Sequence, residues 1–317
     1  MAETTHIVPE DADQTTIAAA VRAMFDGLSW SRARALVASG RVLVDGEVIF
    51  DPAARVAAGS KVRADQTAKR KAALSLPDDA LIFVDHDLAV VLKPSGVETV
   101  PYDETKRDTT SLLAMTLQNL IDGQRKRGGV VQRGLGVVQR LDKETSGVLV
   151  FPRTHAARKT LQAQFRRRAI SRRYVALVKG IPTEQSVETQ LVANRGDGKR
   201  GSWRGSGKPP HDARLAITHI SLLEEFNEAA LVECRLETGR QHQIRIHLAD
   251  LGHPLFGDRV YGPRATTTVA GPTRRTMLHA ASLGFNHPSD GRPMHFVAPT
   301  PTDMAQLLHS LRNGERV

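Results

Sequence analysis

The chain has 317 residues, a length typical of two domains, and it carries 44 Lys and Arg against 34 Asp and Glu, a net charge of +10. This excess of positive charge favours a polyanionic partner, and nucleic acid is the first candidate. Aromatic residues make up only 4% of the chain, which argues against a protein that binds single strands by stacking bases on aromatic side chains. Structured RNA or DNA, recognised through its phosphates and shape, is the expected partner.

The cysteine usage and the N-terminal segment indicate where the protein works. Cys234 is the single cysteine, so we expect a small buried apolar residue in a reducing compartment rather than a disulfide. The first residues lack the apolar core of a signal peptide, and no apolar run reaches the roughly 18 residues of a membrane span. The sequence therefore predicts a cytoplasmic protein without a membrane partner, acting as a monomer.

Residues 15–64 show the pattern of two short helices followed by a hairpin. Thr15 or Thr16 can cap the first helix, and Ser29 or Ser31 can cap the second. The hairpin is predicted by the next segment, "RVLVDGEVI", in which two β-prone runs flank an Asp-Gly pair.

This order of elements resembles the small S-four-type RNA-binding domain. The resemblance assigns the basic surface that meets RNA in that family to Arg32, Arg34 and Arg41. Another kind of small helical cap would show the same order of elements. Residues 65–79, which follow, are polar and are predicted to form a linker.

From residue 80 onward the sequence predicts strands. The segment "LIFVDHDLAVVLKP" predicts a hairpin, and "RRYVALVKG" and "LVECRLETG" predict two further strands. A helix between the hairpin and these strands is expected to begin at Thr154 and to pack Ala157, Leu161 and Phe165 inward. Residues 80–317 are therefore predicted to form one α+β domain with a mainly antiparallel sheet.

The densest positive charge lies in residues 125–173, which hold 14 Lys or Arg and two acids, a net charge of +12. This density predicts a track for a polyanion. Asp142, one of the two acids, lies between Arg140 and Lys143. An ionised carboxylate can act as a nucleophile or a base, but it can also form a surface ion pair, and charge spacing alone favours the ion pair.

The segment around Asp142, "QRLDKETSGVLVF", resembles the signature of the RluA-type RNA pseudouridine synthases, which reads His-Arg-Leu-Asp followed two residues later by Thr-Ser-Gly. Four further segments match motifs of this family in the same order: "LAVVLKPSGV", "QFRRRAISRRYVALVKG", "ETGRQHQIRIHLADLGHPLFGDRVYG" and "LHAASLGFNHP". The resemblance extends from Leu81 to about Pro301. It implies the pseudouridine-synthase fold and a cofactor-free isomerase that converts uridines in RNA to pseudouridine.

The same resemblance assigns roles to individual residues. Asp142 corresponds to the catalytic aspartate, Tyr174 to the tyrosine that lines the uracil pocket, and Arg245 to the arginine that pairs with the aspartate. Arg140 corresponds to the arginine that enters the RNA stem when the target nucleotide flips out. Further RNA contacts are expected from Gln139, Lys93, Thr145 and Ser146.

The sequence departs from the family pattern at two positions. Gln139 replaces the usual His, and Gln241 replaces the usual Thr. Glutamine keeps a donor and an acceptor, so we expect activity with altered positioning of the substrate. Attack of Asp142 on the anomeric carbon, attack on the base, and deprotonation of the ribose all fit the sequence.

Two other kinds of site are suggested by the residue types. His242, His247, His253, Asp250 and Asp258 are potential metal ligands, but His242 and His247 are five residues apart, which places them on different faces of a helix or strand, so no metal site is expected. His247 is expected to be structural. Ser146 lacks the Gly-x-Ser-x-Gly turn of a hydrolase nucleophile, and it is expected to hydrogen-bond within the Asp142 loop.

The resemblance implies large-subunit (23S) ribosomal RNA as the substrate, since enzymes of this kind join a small RNA-binding domain to the catalytic domain. Transfer RNA is an alternative substrate. A non-catalytic RNA-binding factor for ribosome assembly is an alternative function.

Overall fold

The structure is a computed structural model that describes residues 3–13, 15–45, 47–49, 52–67, 76–77, 79–101, 111–126, 134–262 and 275–314. The chain forms two compact units, residues 1–75 and residues 76–317. Most of the predicted linker, residues 68–75 and 78, lies outside the described residues.

The first unit combines two short helices with short strands. Its elements are β1 (Glu3–Ile7), a 3-10 helix (Glu10–Ala12), β2 (Thr15–Thr16), α1 (Ile17–Ala23), α2 (Trp30–Ala38), β3 (Val42–Val44), β4 (Glu47–Val48), β5 (Arg55–Val56) and β6 (Lys61–Asp65). Four strands form one sheet in the order β1-β6-β3-β4, and β2 pairs with β5. The core contains Val21, Val37 and Val62, each with 0% of its surface exposed.

Local hydrogen bonds explain why the two helices begin where the sequence predicts. The Thr16 hydroxyl accepts from the backbone of Ala19, and the Ser29 hydroxyl accepts from the backbone of Arg32, as expected of N-cap residues. The hairpin is confirmed by the pairing of β3 with β4, although Gly46 in its turn lies outside the described residues. Strand β1 was not predicted from the sequence.

In its described residues, the second unit contains a sheet of ten strands and four helices. The strands are β7 (Leu81–Val84), β8 (Leu88–Lys93), β9 (Ser146–Pro152), β10 (Ser171–Lys179), β11 (Gln185–Val192), β12 (Gly201–Ser202), β13 (Arg214–Glu225), β14 (Ala229–Leu236), β15 (Leu278–Asn286) and β16 (Pro293–Val297). The helices are α3 (Leu112–Lys126), α4 (His155–Arg166), α5 (Gln243–Asp250) and α6 (Thr302–Arg312).

The strands run in the order β12-β11-β13-β14-β10-β15-β9-β8-β7, and β16 pairs with β15. Every described pair is antiparallel except β9 with β15. The α+β prediction with a mainly antiparallel sheet is confirmed. The segment from residue 196 to residue 210 contains the two-residue strand β12.

Burial along the strands follows their position in the sheet. All seven residues of β9 are buried, because β8 and β15 flank this strand and both of its faces are covered. Strand β14 alternates near its end, where Cys234 and Leu236 are buried and Arg235 is exposed, as the period of two predicts. Helix α4 begins after Thr154, whose hydroxyl accepts from the backbone of Ala157, and this start is also confirmed.

Gly147 allows β9 and β15 to approach each other closely. Its φ is +121°, and a Cβ atom at this position would lie 2.3 Å from the carbonyl oxygen of Ala280 and 2.6 Å from its nitrogen. Both atoms belong to backbone and cannot move aside without disrupting the ladder. Only glycine therefore fits here.

We predict that Gly147→Ala destabilises the second unit by about 3 kcal/mol, because a methyl group would overlap the β15 backbone. Unfolding in urea, followed by fluorescence, would measure the loss. The two tryptophans lie in different units, so a Trp30→Phe background leaves Trp203 to report on the second unit alone.

Gly284→Ala is the matched control in β15. A Cβ at Gly284 would meet its nearest atom, Cβ of Ser171, at 3.4 Å, an ordinary contact. Equal unfolding midpoints for the two variants would contradict the role given to Gly147.

Candidate active site

Asp142 lies in the loop that leads into β9. Its side chain is 24% exposed, so the carboxylate is accessible yet partly enclosed. Its backbone carbonyl accepts a hydrogen bond of 3.0 Å from Thr145 N, which closes a tight turn immediately before the strand.

The backbone on both sides of Asp142 is bonded to the loop that follows β8. The Thr99 hydroxyl accepts from Leu141 N at 3.0 Å and donates to the carbonyl of Leu141 at 2.8 Å. The Ser95 hydroxyl donates to the carbonyl of Glu144 at 2.8 Å. These bonds fix the main chain one residue before and two residues after Asp142.

The buried side chain of Lys93 also links the loop that follows β8 to the Asp142 loop. The residue is 2% exposed, and its ammonium donates to the carbonyls of Pro94, Val97 and Lys143 at 2.9, 2.6 and 2.8 Å. Burial lowers the pKa of Lys93 to about 7, and the three carbonyl acceptors act in the opposite direction because they stabilise the ammonium. The structure does not support the prediction that Lys93 contacts RNA, since its donors are directed to backbone inside the fold.

Arg245 reaches Asp142 from helix α5. Its Nη1 lies 3.4 Å from Oδ2 of Asp142, and its Nε and Nη2 form a bidentate pair with Asp258 at 2.7 and 2.9 Å. Burial by itself lowers the pKa of Arg245, but the Asp258 hydrogen bonds and charge more than reverse this effect, so the pKa is raised. Arg245 is therefore a permanent cation beside Asp142.

Tyr174 lies in β10 and is 8% exposed. Burial raises the pKa of its phenol, and the charge of Asp142 acts in the same direction. The hydroxyl is therefore protonated at neutral pH and can donate a hydrogen bond. The resemblance assigned Tyr174, Asp142 and Arg245 to one site. In the structure Arg245 contacts Asp142, and the charge of Asp142 acts on the Tyr174 phenol.

The remaining predicted contacts of the second unit differ in accessibility. Arg140 is exposed and can meet a ligand, whereas Gln139 is half-buried and its Nε2 atom is buried without a hydrogen-bond partner among the described residues. Thr145 and Ser146 are 1% and 4% exposed, and the Ser146 hydroxyl lies 2.9 Å from Nδ1 of His279. The structure does not support RNA contacts for these two residues, because they are buried beneath the loop.

The three basic residues predicted to bind RNA in the first unit differ in solvent exposure. Arg32 and Arg34 are exposed on α2, whereas Arg41 is half-buried and donates to the carbonyl of Gln66 at 3.4 Å. Arg32 and Arg34 are thus the better placed of the three for a phosphate.

Three residues that contact Asp142 or Arg245 were missed as members of the site: His242, Asp258 and Tyr261. His242 and Asp258 were considered only as metal ligands, and within the described residues no three His, Cys, Asp or Glu side chains are grouped to hold a metal ion. His247 is buried and bonded to Thr189 and Thr218, as expected of a structural residue. All three missed residues lie in the segment "ETGRQHQIRIHLADLGHPLFGDRVYG", which matches a motif of the family.

No helix in the described part of the chain is long and apolar enough to cross a membrane.

Comparisons with known proteins agree with this geometry. The family model for RNA pseudouridylate synthase matches residues 87–250. The ribosomal large subunit pseudouridine synthase D of Zymomonas mobilis is 35% identical over 309 residues, 94% of each chain. The uncharacterized RNA pseudouridine synthase YlyB of Bacillus subtilis is also 35% identical, over 90% of this chain and 91% of its own.

A solved structure shows the same fold. The human RNA pseudouridylate synthase domain containing 4 superposes with a TM-score of 0.58 at 24% identity, over 74% of this chain and 93% of its own. An antiparallel sheet of this topology, with an arginine-paired aspartate in a basic segment, defines an RNA-modifying isomerase of the pseudouridine-synthase fold. The chain belongs to the RluA-type family of RNA pseudouridine synthases and converts uridine in RNA to pseudouridine.

We predict that Lys93→Met destabilises the second unit by about 1 to 3 kcal/mol, because three buried carbonyls lose their donor. Urea unfolding in the Trp30→Phe background would measure this. The dependence of RNA affinity on salt should keep its slope, since Lys93 contacts no phosphate.

Arg140→Gln, which removes an exposed cation, is the comparison for RNA binding and should reduce the salt slope by roughly one. A reduced slope for Lys93→Met together with unchanged stability would restore the RNA-binding role of Lys93.

Proposed function

We propose that this enzyme modifies uridines in large-subunit ribosomal RNA. The observation that carries the proposal is the similarity to ribosomal large subunit pseudouridine synthase D proteins along nearly the full length of both chains, which includes the first unit. A relative from Vibrio cholerae with the same name is 32% identical over 94% of this chain. A cytoplasmic location and action as a monomer are parts of the same proposal.

In the proposed reaction, the Asp142 carboxylate acts on the bound uridine and the bond between N1 and the anomeric carbon breaks. The base then rotates, a bond forms between C5 and the anomeric carbon, and the proton lost from C5 is replaced by one at N1. The product is an isomer of the substrate, so the atoms balance without a co-reactant. Asp142 suits this role because its carboxylate is accessible while its backbone is fixed on both sides.

Arg245 and Tyr174 have complementary parts in this proposal. The Arg245 guanidinium, which remains charged at every pH of interest, holds the Asp142 carboxylate in its orientation. The Tyr174 phenol, which retains its proton, packs against the uracil and can exchange a proton with the base.

RNA is proposed to approach along the basic segment of the second unit. Arg140 is exposed next to the Asp142 turn, and Arg158, Arg166 and Arg167 are exposed on α4. Guanidinium groups at these positions can pair with phosphates and position the RNA without reading its sequence. Gln139 lies at the start of this surface and can contact the flipped nucleotide through its amide.

The first unit is proposed to be an RNA-binding domain of the S-four type. Its helix α2 presents Arg32 and Arg34 to solvent, and the order of two helices and a hairpin agrees with that domain. Such a unit increases affinity for RNA by adding contacts outside the catalytic pocket.

We expect Asp142→Asn to abolish pseudouridine formation, a loss of at least 1,000-fold, while leaving folding and RNA affinity nearly unchanged. Mapping pseudouridines in total RNA would test this in cells that lack the gene and carry either the wild-type chain or the variant.

The expected result of the mapping is one or more large-subunit sites that return only with the wild-type chain. If the sites that return lie in transfer RNA, then transfer RNA and not ribosomal RNA is the substrate. An active Asp142→Asn variant would remove Asp142 from the catalytic role, and the absence of any wild-type-dependent site would favour a non-catalytic RNA-binding factor.

Replacing Arg32 and Arg34 together with Gln should weaken RNA binding and lower its salt slope by about two, because two phosphate contacts are lost. Fluorescence from Trp30 should show unchanged unfolding of the first unit, since both side chains are exposed. Lys61→Gln, another exposed cation of this unit, controls for a general loss of positive charge. An effect of Lys61→Gln as large as that of the double variant would contradict a specific surface on α2.

A further inference from the structure

His242 faces Asp142 from a strained position at the start of α5. Its φ of +60° is one of three positive values at non-glycine residues in the described chain, and a histidine held there costs on the order of 1 to 3 kcal/mol. Its Nε2 lies 3.9 Å from Oδ2 of Asp142, and its side chain is 23% exposed. Strain of this kind persists where the surrounding structure holds the residue in place.

Tyr261 is the residue that holds the His242 ring. The Tyr261 hydroxyl lies 2.9 Å from Nδ1 of His242, and the two rings meet edge to face, with centroids 5.6 Å apart. Nδ1 is thus occupied by the hydroxyl, and Nε2 is the nitrogen that faces Asp142.

The charge of Asp142 decides which way this hydrogen bond runs. Burial lowers the pKa of His242, so the ring is neutral at neutral pH and carries one proton. If Nδ1 carried this proton, the lone pair of Nε2 would face the Asp142 carboxylate, and the two would repel each other. If Tyr261 donates to Nδ1, an Nε2 proton faces the carboxylate, which is attractive. The second arrangement is the more stable.

Tyr261 also contacts the other group that faces Asp142. The Arg245 guanidinium lies 5.3 Å from the centroid of the Tyr261 ring, within the range of a cation–π interaction. The backbone nitrogens of Val260 and Tyr261 donate to Oδ1 of Asp258 at 2.9 and 3.1 Å. The same carboxylate holds Arg245, so one short turn, residues 258–262, positions both neighbours of Asp142.

The contacts of both neighbours fall on one oxygen of Asp142. Arg245 Nη1 and His242 Nε2 approach Oδ2, at 3.4 and 3.9 Å. Both groups therefore act on the same oxygen of the Asp142 carboxylate.

We infer that Tyr261 is a positioning residue: its hydroxyl donates to Nδ1 of His242 and thereby stabilises the tautomer, favoured by the Asp142 charge, that presents Nε2–H to Asp142, and its ring supports the Arg245 guanidinium beside the same carboxylate. This inference rests on the proposed catalytic role of Asp142. Tyr261 acts through His242 and Arg245 and is not proposed to contact the reacting atoms.

The tautomer can be measured without RNA. In the full chain with ¹⁵N-labelled histidine, the His242 resonances are identified by their loss in His242→Asn, a replacement chosen because Asn tolerates positive φ. We expect the Nε2–H tautomer in the wild-type protein and a mixture of tautomers in Tyr261→Phe, which removes only the hydroxyl. A wild-type His242 protonated at Nδ1 would overturn the inference.

Single-turnover kinetics on RNA provide the second test. Tyr261→Phe should lower the rate constant by roughly 3- to 10-fold, the loss expected for one hydrogen bond, and leave the half-saturating RNA concentration unchanged. The double variant Tyr261→Phe with His242→Asn should be no slower than His242→Asn alone. A wild-type rate for Tyr261→Phe, or multiplicative losses in the double variant, would overturn the inference.

Thr189→Val is the matched control. It removes a different hydroxyl from a histidine of the same helix, since Thr189 Oγ1 lies 2.9 Å from Nε2 of His247, remote from Asp142. The single-turnover rate constant of Thr189→Val should equal that of the wild type. If Thr189→Val loses as much rate as Tyr261→Phe, the loss in Tyr261→Phe is due to altered packing of the helix and not to the His242 tautomer. An active Asp142→Asn variant would defeat the proposed catalytic role while leaving the tautomer result intact, so the two failures are distinguishable.

Discussion

A buried guanidinium shared between two carboxylates is the interaction on which this site depends. Removing Arg245 from water costs several kcal/mol, and the bidentate pair with Asp258 offsets that cost through two short, charge-assisted hydrogen bonds. The contact with Asp142, at 3.4 Å, is longer and involves a single nitrogen. Arg245 is therefore stabilised mainly by Asp258, and Asp142 receives the field of a fixed cation while remaining free to act on a substrate.

The main chain around Asp142 is likewise held by groups that are separate from the catalytic carboxylate. Hydroxyls of Thr99 and Ser95 bond the residues flanking Asp142, and the Lys93 ammonium bonds the carbonyl of Lys143. These contacts are buried or half-buried and do not use the Asp142 side chain. A catalytic group held in this manner reaches its working position without losing conformational freedom at each turnover.

Local signals in the sequence were sufficient for several of the helices and strands, whereas Asp142, Tyr174 and Arg245 were assigned to a site only by the resemblance to a family. Caps such as Thr16 and Thr154 and the alternation in β14 depend on neighbours within a few residues, so they can be read directly from the chain. The burial of Lys93 could not be read in this way, because its three acceptors come from two separate loops. The motif resemblance suggested an RNA contact there, whereas the fold uses the charge internally.

The roles of Asp258 and Tyr261 also required the structure, for a related reason. Their importance lies in contacts with Arg245 and His242, 13 and 19 residues earlier, and no periodicity in the sequence connects these positions. The acidic character of Asp258 suggested a metal ligand, and only its distance to the guanidinium shows that it serves as a counterion. The role of a charged residue in a motif is thus shown by the group that neutralises its charge.

The register of the sheet explains how Asp142 and Tyr174 come together. Tyr174 pairs with Cys234 on one side and with Ala280 on the other, and Ala280 pairs with Gly147. A β-bulge shifts the register between Arg173 and Tyr174, as is common beside functional sites. Since Gly147 follows Asp142 by five residues, the ladder places the start of β9, which follows the Asp142 loop, in register with Tyr174 two strands away. The glycine that permits the parallel pair of β9 and β15 is therefore one link in the ladder that connects these two parts of the site.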